Sequence, residues 1–241
     1  MRCCSSLFLL IALTFAACTQ PVAPSGTTGN TGAAETTTSP QTTANGTKTC
    51  PDHFYYYEQQ KVTIRIRPQL LLVGFQAEMS TEAKTTLLKR YAEFENLSPA
   101  QTADSGPFHI VKLKASTTCR QALDLINNLQ AQPEVVFANP VFHSPARLGS
   151  EYLWLGLTSE ILVTVRSEAN TAAIKELVAQ TNTRLIDTIG ETTLLIQATK
   201  DSRGNALEMA NFFHEQPDVI NSEPNFYLAS REGDVSSPAN R

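Results

Sequence analysis

Aromatic residues make up only 7% of the 241-residue chain, and Trp154 is its single tryptophan. A sugar-binding platform of stacked rings has little to build on. Charge is equally sparing: 19 basic residues face 23 acidic ones, for a net charge of -4 with no block of either sign. That leaves no electrostatic footprint for nucleic acid or for an anionic lipid surface. The four histidines (His53, His109, His143, His214) are scattered, and neither they nor the cysteines show H-x-x-x-H or C-x-x-C spacing, so no metal site and no cofactor is expected. A serine nucleophile needs a histidine base oriented by a third group, and no G-x-S-x-G elbow or equivalent occurs. Carboxylates such as Asp201 and Glu208 fit solvated helix starts better than an acid–base pair. Together these absences point away from an enzyme.

What is present begins with Arg2, a minimal positive n-region, followed by the apolar run Leu7 to Ala17. A helix crossing a bilayer needs about 20 apolar residues, so this run reads as the core of a signal peptide. It ends in Phe15-Ala16-Ala17-Cys18, and small residues just before a cysteine resemble the lipobox of bacterial lipoproteins. That resemblance implies diacylation of the Cys18 thiol and cleavage that makes Cys18 the mature N-terminus; the alternative is an ordinary signal peptide cleaved after Ala17. No acidic residue follows Cys18 (Thr19, Gln20), which leaves the outer membrane open as a destination in either leaflet. From Thr19 to Thr49 the chain holds 11 threonines and one branched apolar residue, Val22. Such a segment cannot bury enough surface to offset its ordering entropy and is expected to be a tether. Cys3 and Cys4 leave with the signal, so Cys50 and Cys119 remain as a candidate disulfide in an oxidising envelope.

The strongest internal pattern is a repeat. Ala122–Pro133, then Glu134-Val135-Val136 and Asn139-Pro140-Val141-Phe142, recurs 84 positions later as Ala206–Pro217, Asp218-Val219-Ile220 and Glu223-Pro224-Asn225-Phe226. Upstream, Leu71–Phe75 corresponds to Ile161–Val165 at an offset of 90. The extra residues fall in Asn96–Pro107, expected to be a surface loop. Leu71, Val73 and Phe75 alternate as a strand, and Ala83, Leu87 and Tyr91 (Ala173 and Leu177 in the second copy) share a helix face. Arg184–Asp187 and Thr192–Gln197 flank a turn at Ile189-Gly190-Glu191. Ala122, Leu125, Ile126 and Leu129, matched by Ala206, Met209, Ala210 and Phe213, form a core-facing stripe. Each unit closes with a short strand, Val135–Phe137 or Val219–Asn221. The order βαββαβ predicts an α+β fold of two tandem ferredoxin-like units, each an antiparallel sheet with both helices on one face and the other face available. A strand or hairpin over Phe54–Arg67 precedes the first copy. Whether the units share one sheet or form two lobes stays open.

These residues carry a resemblance. "VVFANPVF" and "VINSEPNFY", the latter preceded by the helix "ALEMANFF", look like the closing helix and strand of subtilisin-family propeptides, and "FYYYEQQKVTIRI" followed by "STEAKTTLLKRY" is similar to pro-regions of secreted subtilases of the Bacteroidetes type. The resemblance spans Phe54 to Tyr227. It implies a folding template or product-like inhibitor whose sheet packs on a protease, with Phe226, Tyr227, Leu228, Ala229 and Ser230 as the segment entering the cleft by backbone pairing. Equally open is the reading in which Phe226 and Leu228 merely cap the core of the second unit. The sequence departs from the family in carrying no subtilase catalytic motifs, ending instead in the polar stretch Arg231–Arg241. The expectation is therefore a lipid-anchored, non-enzymatic envelope lipoprotein that binds, inhibits or chaperones a separately encoded subtilisin-like protease, or else a remnant pro-region kept as a structural lipoprotein. The corresponding division is signal peptide 1–18, tether 19–49, first repeat 50–142, connector 143–158, second repeat 159–229 and polar tail 230–241.

Overall fold

The computed structural model describes residues 50–149 and 151–230, so the signal segment with Cys18, the tether and the tail from residue 231 onward lie outside the described residues. The chain opens with an aromatic strand, β1 (Asp52–Tyr57), joined to the 16-residue β2 (Gln60–Phe75). Glu58 and Gln59 both take positive φ, 46° and 64°. Two left-handed residues in a two-residue connection match the strand twist, which is what a tight hairpin requires. Pro68 lies where the pairing of β2 with its neighbour is interrupted, between Ile66 and Leu71. Proline has no N–H to give a ladder, so a bend is favoured there. Ile64 and Ile66 before the bend and Leu71 and Val73 after it join different cores.

The first half continues with α1 (Thr81–Leu88), β3 (Phe94–Ala103), β4 (Gly106–Leu113), α2 (Cys119–Gln130) and β5 (Val135–His143). The second half is β6 (Tyr152–Val165), α3 (Thr171–Gln180), β7 (Arg184–Ile189), β8 (Thr193–Gln197), α4 (Ala206–His214) and β9 (Val219–Ser230). Local chemistry sets the starts of α2 and α4. Thr118 with Gln121, and Asn205 with Glu208, form reciprocal capping boxes that satisfy otherwise orphaned N–H groups. The stripes Ala122, Leu125, Ile126, Leu129 and Ala206, Met209, Ala210, Phe213 are all buried, as their spacing predicts.

Strand pairing is antiparallel throughout, and the order is β5-β2-β4-β3 in the first half and β9-β6-β8-β7 in the second. A short ladder between β5 and β6, Val141 to Gly156 through His143 to Trp154, joins them into one curled nine-stranded sheet. The described residues all fall in one compact unit. Gly156 permits the junction, because a Cβ there would come within 2.6 Å of the fully buried Leu72 side chain.

Several expectations change. Of residues 143–158, His143 belongs to β5 and the residues from Tyr152 belong to β6, because His143 pairs with Trp154 and Trp154, Leu155 and Leu157 are buried strand residues. Asn96–Pro107 is not a loop: it is chiefly β3, and the extra residues lengthen the β3–β4 hairpin beyond its counterpart β7–β8. In the second copy the buried face of α3 is Ile174 and Val178 rather than Ala173, since the larger i,i+4 pair captures the core. In α1, Ala83 is exposed while Leu87 and Leu88 are buried. The closing strands are longer than expected, and the N-terminal hairpin packs on the second half: Tyr56 donates to Glu215 at 2.9 Å, Asn211 Nδ2 donates to Phe54 O at 3.0 Å, and Tyr55 sits edge-on to Phe226.

The helix-free face is also not open along its whole length. The long β3–β4 hairpin curls over it, so that Phe108, Phe137, Trp154, Tyr227 and Leu72 form a third cluster, distinct from the cores beneath the helices. Cys50 and Cys119 are joined in a disulfide with Cα atoms 5.3 Å apart, fastening the root of the N-terminal hairpin to the first turn of α2 across 69 positions. Closing a loop of that length removes denatured-state freedom, so replacing both cysteines by serine is expected to lower stability by about 2–4 kcal/mol. Urea unfolding measures it; an unchanged midpoint would contradict it.

Candidate partner-binding surface

The segment Phe226–Ser230 lies inside the sheet, paired with β6 from Leu157 to Tyr152. Its side chains are divided between two cores. Phe226 and Leu228 pack against the helix-side cluster, and Tyr227, 2% exposed, contacts Phe108 and Trp154 on the opposite face. The capping reading of Phe226 and Leu228 therefore describes this structure. Insertion of the segment into a cleft would require the end of β9 to leave β6 and expose Tyr227, whose burial alone is worth about 1.5–3 kcal/mol. The outer edge of β9 has no strand partner among the described residues, but Gln59 Nε2, at the tip of the N-terminal hairpin, donates to Ile220 O at 2.6 Å and guards it.

A different surface remains. On the helix-free side of the second half, Ile161 and Val163 turn inward, so Leu162 and Thr164 face out, and register places Thr193 beside Thr164 and Ile189 beside Thr193. Thr164 and Thr193 share a hydrogen bond at 3.1 Å, and Ile189 is 52% exposed. Leu195, beside Leu162 on this face, is 2% exposed, so the open part of the face is centred on Thr164, Thr193 and Ile189. Register also sets Glu223 and Asn221 beside Leu162 and Thr164, and Asp187 beside Leu195, so the face mixes apolar, hydroxyl and acidic groups.

Between the halves the polar groups are buried and paired. β6 bulges at Thr158-Ser159-Glu160, three residues opposite Asn225 alone. Asn139 Nδ2 donates to Thr158 O at 2.9 Å, and Ala198 N donates to Ser159 O at 2.7 Å. The Glu160 carboxylate, 0% exposed, accepts from Ser105 N at 2.5 Å and Asn225 Nδ2 at 2.7 Å. Sequence reasoning did not single out Glu160, Asn225 or Ser105. Three successive polar residues ahead of the apolar run Ile161–Val165 were the available signal, since a buried strand tolerates them only at a bulge.

Three of the histidines are engaged by hydrogen bonds or ring contacts. His109, 4% exposed, has Nδ1 2.9 Å from Ser98 O and Nε2 3.3 Å from Lys84 Nζ. Because the ammonium can only donate, Nε2 accepts and Nδ1 carries the proton. His214 stacks on Tyr56 with ring centroids 3.9 Å apart, and His53 sits edge-on to Phe142. No group of three or more His, Cys, Asp or Glu able to hold a metal occurs among the described residues, and none of their helices is long and apolar enough to cross a membrane. Glu208 is engaged in its capping box, accepting from Asn205 N at 2.9 Å.

No protein-family model matches the chain, and a search of curated proteins finds no match.

Burial pulls all four histidines below the ordinary value of 6.5; at His109 the Ser98 carbonyl opposes this while Lys84 adds to it. The unfolded chain therefore takes up protons first as pH falls. Stability should be fully present above about pH 6.5 and be lost as pH drops through the lower folded values. Thermal unfolding from pH 7.5 to 5 is expected to show a falling midpoint, with a shallower fall in His109→Gln. A flat profile, or an unchanged slope in the variant, would refute this.

Proposed function

We propose that the protein is a lipid-anchored, non-enzymatic module of the cell envelope, held at the outer membrane through Cys18, that binds and restrains a separately encoded subtilisin-like protease. In this reading residues 52–230 are two tandem ferredoxin-like units similar to subtilase propeptides. The observation that carries it is the paired architecture: both halves run βαββαβ with the same strand order, and each ends in a capped helix followed by a proline-containing strand. The Cys50–Cys119 disulfide supports export to an oxidising compartment. It also fastens Cys50, at the start of the described residues, to the first turn of α2.

The docking surface in this reading is the uncovered face around Thr164, Thr193 and Ile189, and not the Phe226–Ser230 segment. A second reading, a pro-region remnant kept as a structural lipoprotein, is favoured by one observation: both faces of Phe226–Ser230 are already occupied within the molecule.

The test is inhibition of subtilases from the same organism by the full chain. The protease-binding reading predicts slowed peptide hydrolysis, weakened about tenfold or more by Ile189→Glu, since burying an unpaired carboxylate at a contact costs several kcal/mol. Thermal stability should be unaffected, because Ile189 is exposed. Absence of any binding would leave the remnant reading standing in its place.

A further inference from the structure

The two halves diverge below their short shared ladder, because β5 pairs with β6 only over Val141–His143. The gap is a trough of about 540 Å³ between the start of β5 and the exit of β8. Its apolar wall is Phe75, Val136, Phe137 and Pro107, and its polar groups include Gln76, Asn182 and Thr199. Of the described residues lining it, only Arg184 is charged.

Arg184 is held in place. Its Nε and Nη2 donate to Gln197 Oε1 at 3.2 and 2.7 Å, Gln197 Nε2 donates to Ser159 Oγ at 3.2 Å, and Ser159 Oγ lies 3.1 Å from Ser105 Oγ. Gln197 and Ser159 are 3% and 0% exposed, so the guanidinium is fixed by a buried chain of amides and hydroxyls. A guanidinium has five donors; the Gln197 contact uses two of them. No carboxylate pairs with Arg184 among the described residues.

We infer that this trough binds the C-terminal end of an extended peptide, its carboxylate on Arg184 and an apolar last side chain against Phe75, Val136 and Phe137. A planar carboxylate matches the remaining fork of the guanidinium. Volume, apolar lining and a few convergent polar groups at a junction between two halves are the features of a ligand site. A hydrocarbon chain would strip water from Gln76, Asn182 and Thr199 without replacing its hydrogen bonds, whereas a peptide backbone replaces them. The site does not depend on the partner being a protease.

Calorimetric titration of the full chain with acetyl-Ala-Ala-Leu as free acid, with the same peptide as C-terminal amide, and with decanoate tests it. The free acid should bind, the amide about tenfold or more weaker, as loss of a charge-assisted contact implies, and decanoate weaker than the acid. Arg184→Gln should bring the acid down to the level of the amide while leaving the amide's own affinity unchanged, and Arg184→Lys, which keeps the charge and loses the fork, should fall between. Equal binding of acid and amide, tighter binding of decanoate, unaltered binding by Arg184→Gln, or no heat with the acid at millimolar concentration would each overturn it.

Discussion

Glu160 sets the terms of this fold. A carboxylate without exposed surface is tolerated only when its oxygens are hydrogen-bonded, and bonds of this charged type contribute roughly 1.5–3 kcal/mol each. Its donors come from two places: the Ser105 amide at the tip of the β3–β4 hairpin, in the first half, and the Asn225 side chain on β9, in the second. To deliver Ser105, that hairpin must be long and must curl over the helix-free face. The residues that lengthen it relative to β7–β8 therefore have a structural purpose. The same bulge that presents Glu160 lets one edge of β6 change partner, from β5 on one side of the bulge to β8 on the other.

From that constraint follows the clamping of the second half by two hairpins of the first. One, β3–β4, brings Phe108 against Tyr227 across the helix-free face. The other, β1–β2, delivers Tyr55, Ile64 and Ile66 to the core beneath α4 and guards the outer edge of β9 through Gln59. Among the described residues, two surfaces that this clamping leaves open are the patch around Thr164 and Ile189 and the concave trough beneath Arg184.

The α+β class, the order of elements and the buried stripes of α2 and α4 are legible in the sequence because they depend on local periodicity and capping: Ala122 to Leu129 and Ala206 to Phe213 repeat at helical spacing whatever surrounds them. The register of β6 is not, since Thr158, Ser159 and Glu160 acquire meaning only through Asn139, Ala198, Ser105 and Asn225, up to 67 positions away. The destination of the Phe54–Arg67 hairpin is hidden for the same reason. Its alternation shows a strand, but not that Pro68 turns it onto the other half. The segment Phe226–Ser230 illustrates the limit of motif reading. Its resemblance to an exit strand says nothing of Trp154 and Phe108, which hold Tyr227 in place. Arg184 has no local pattern at all, and its role comes from the Gln197–Ser159 chain behind it.

The central claim is that the two halves are one cooperative body joined at the Glu160 bulge. Native-state amide hydrogen exchange resolves each half separately within the intact chain. The account predicts that core amides of β4 in the first half and β8 in the second exchange through the same global opening, with equal free energies and equal dependence on denaturant. Opening of β8 at a distinctly lower free energy than β4, with its own denaturant slope, would show two independently unfolding units and contradict it.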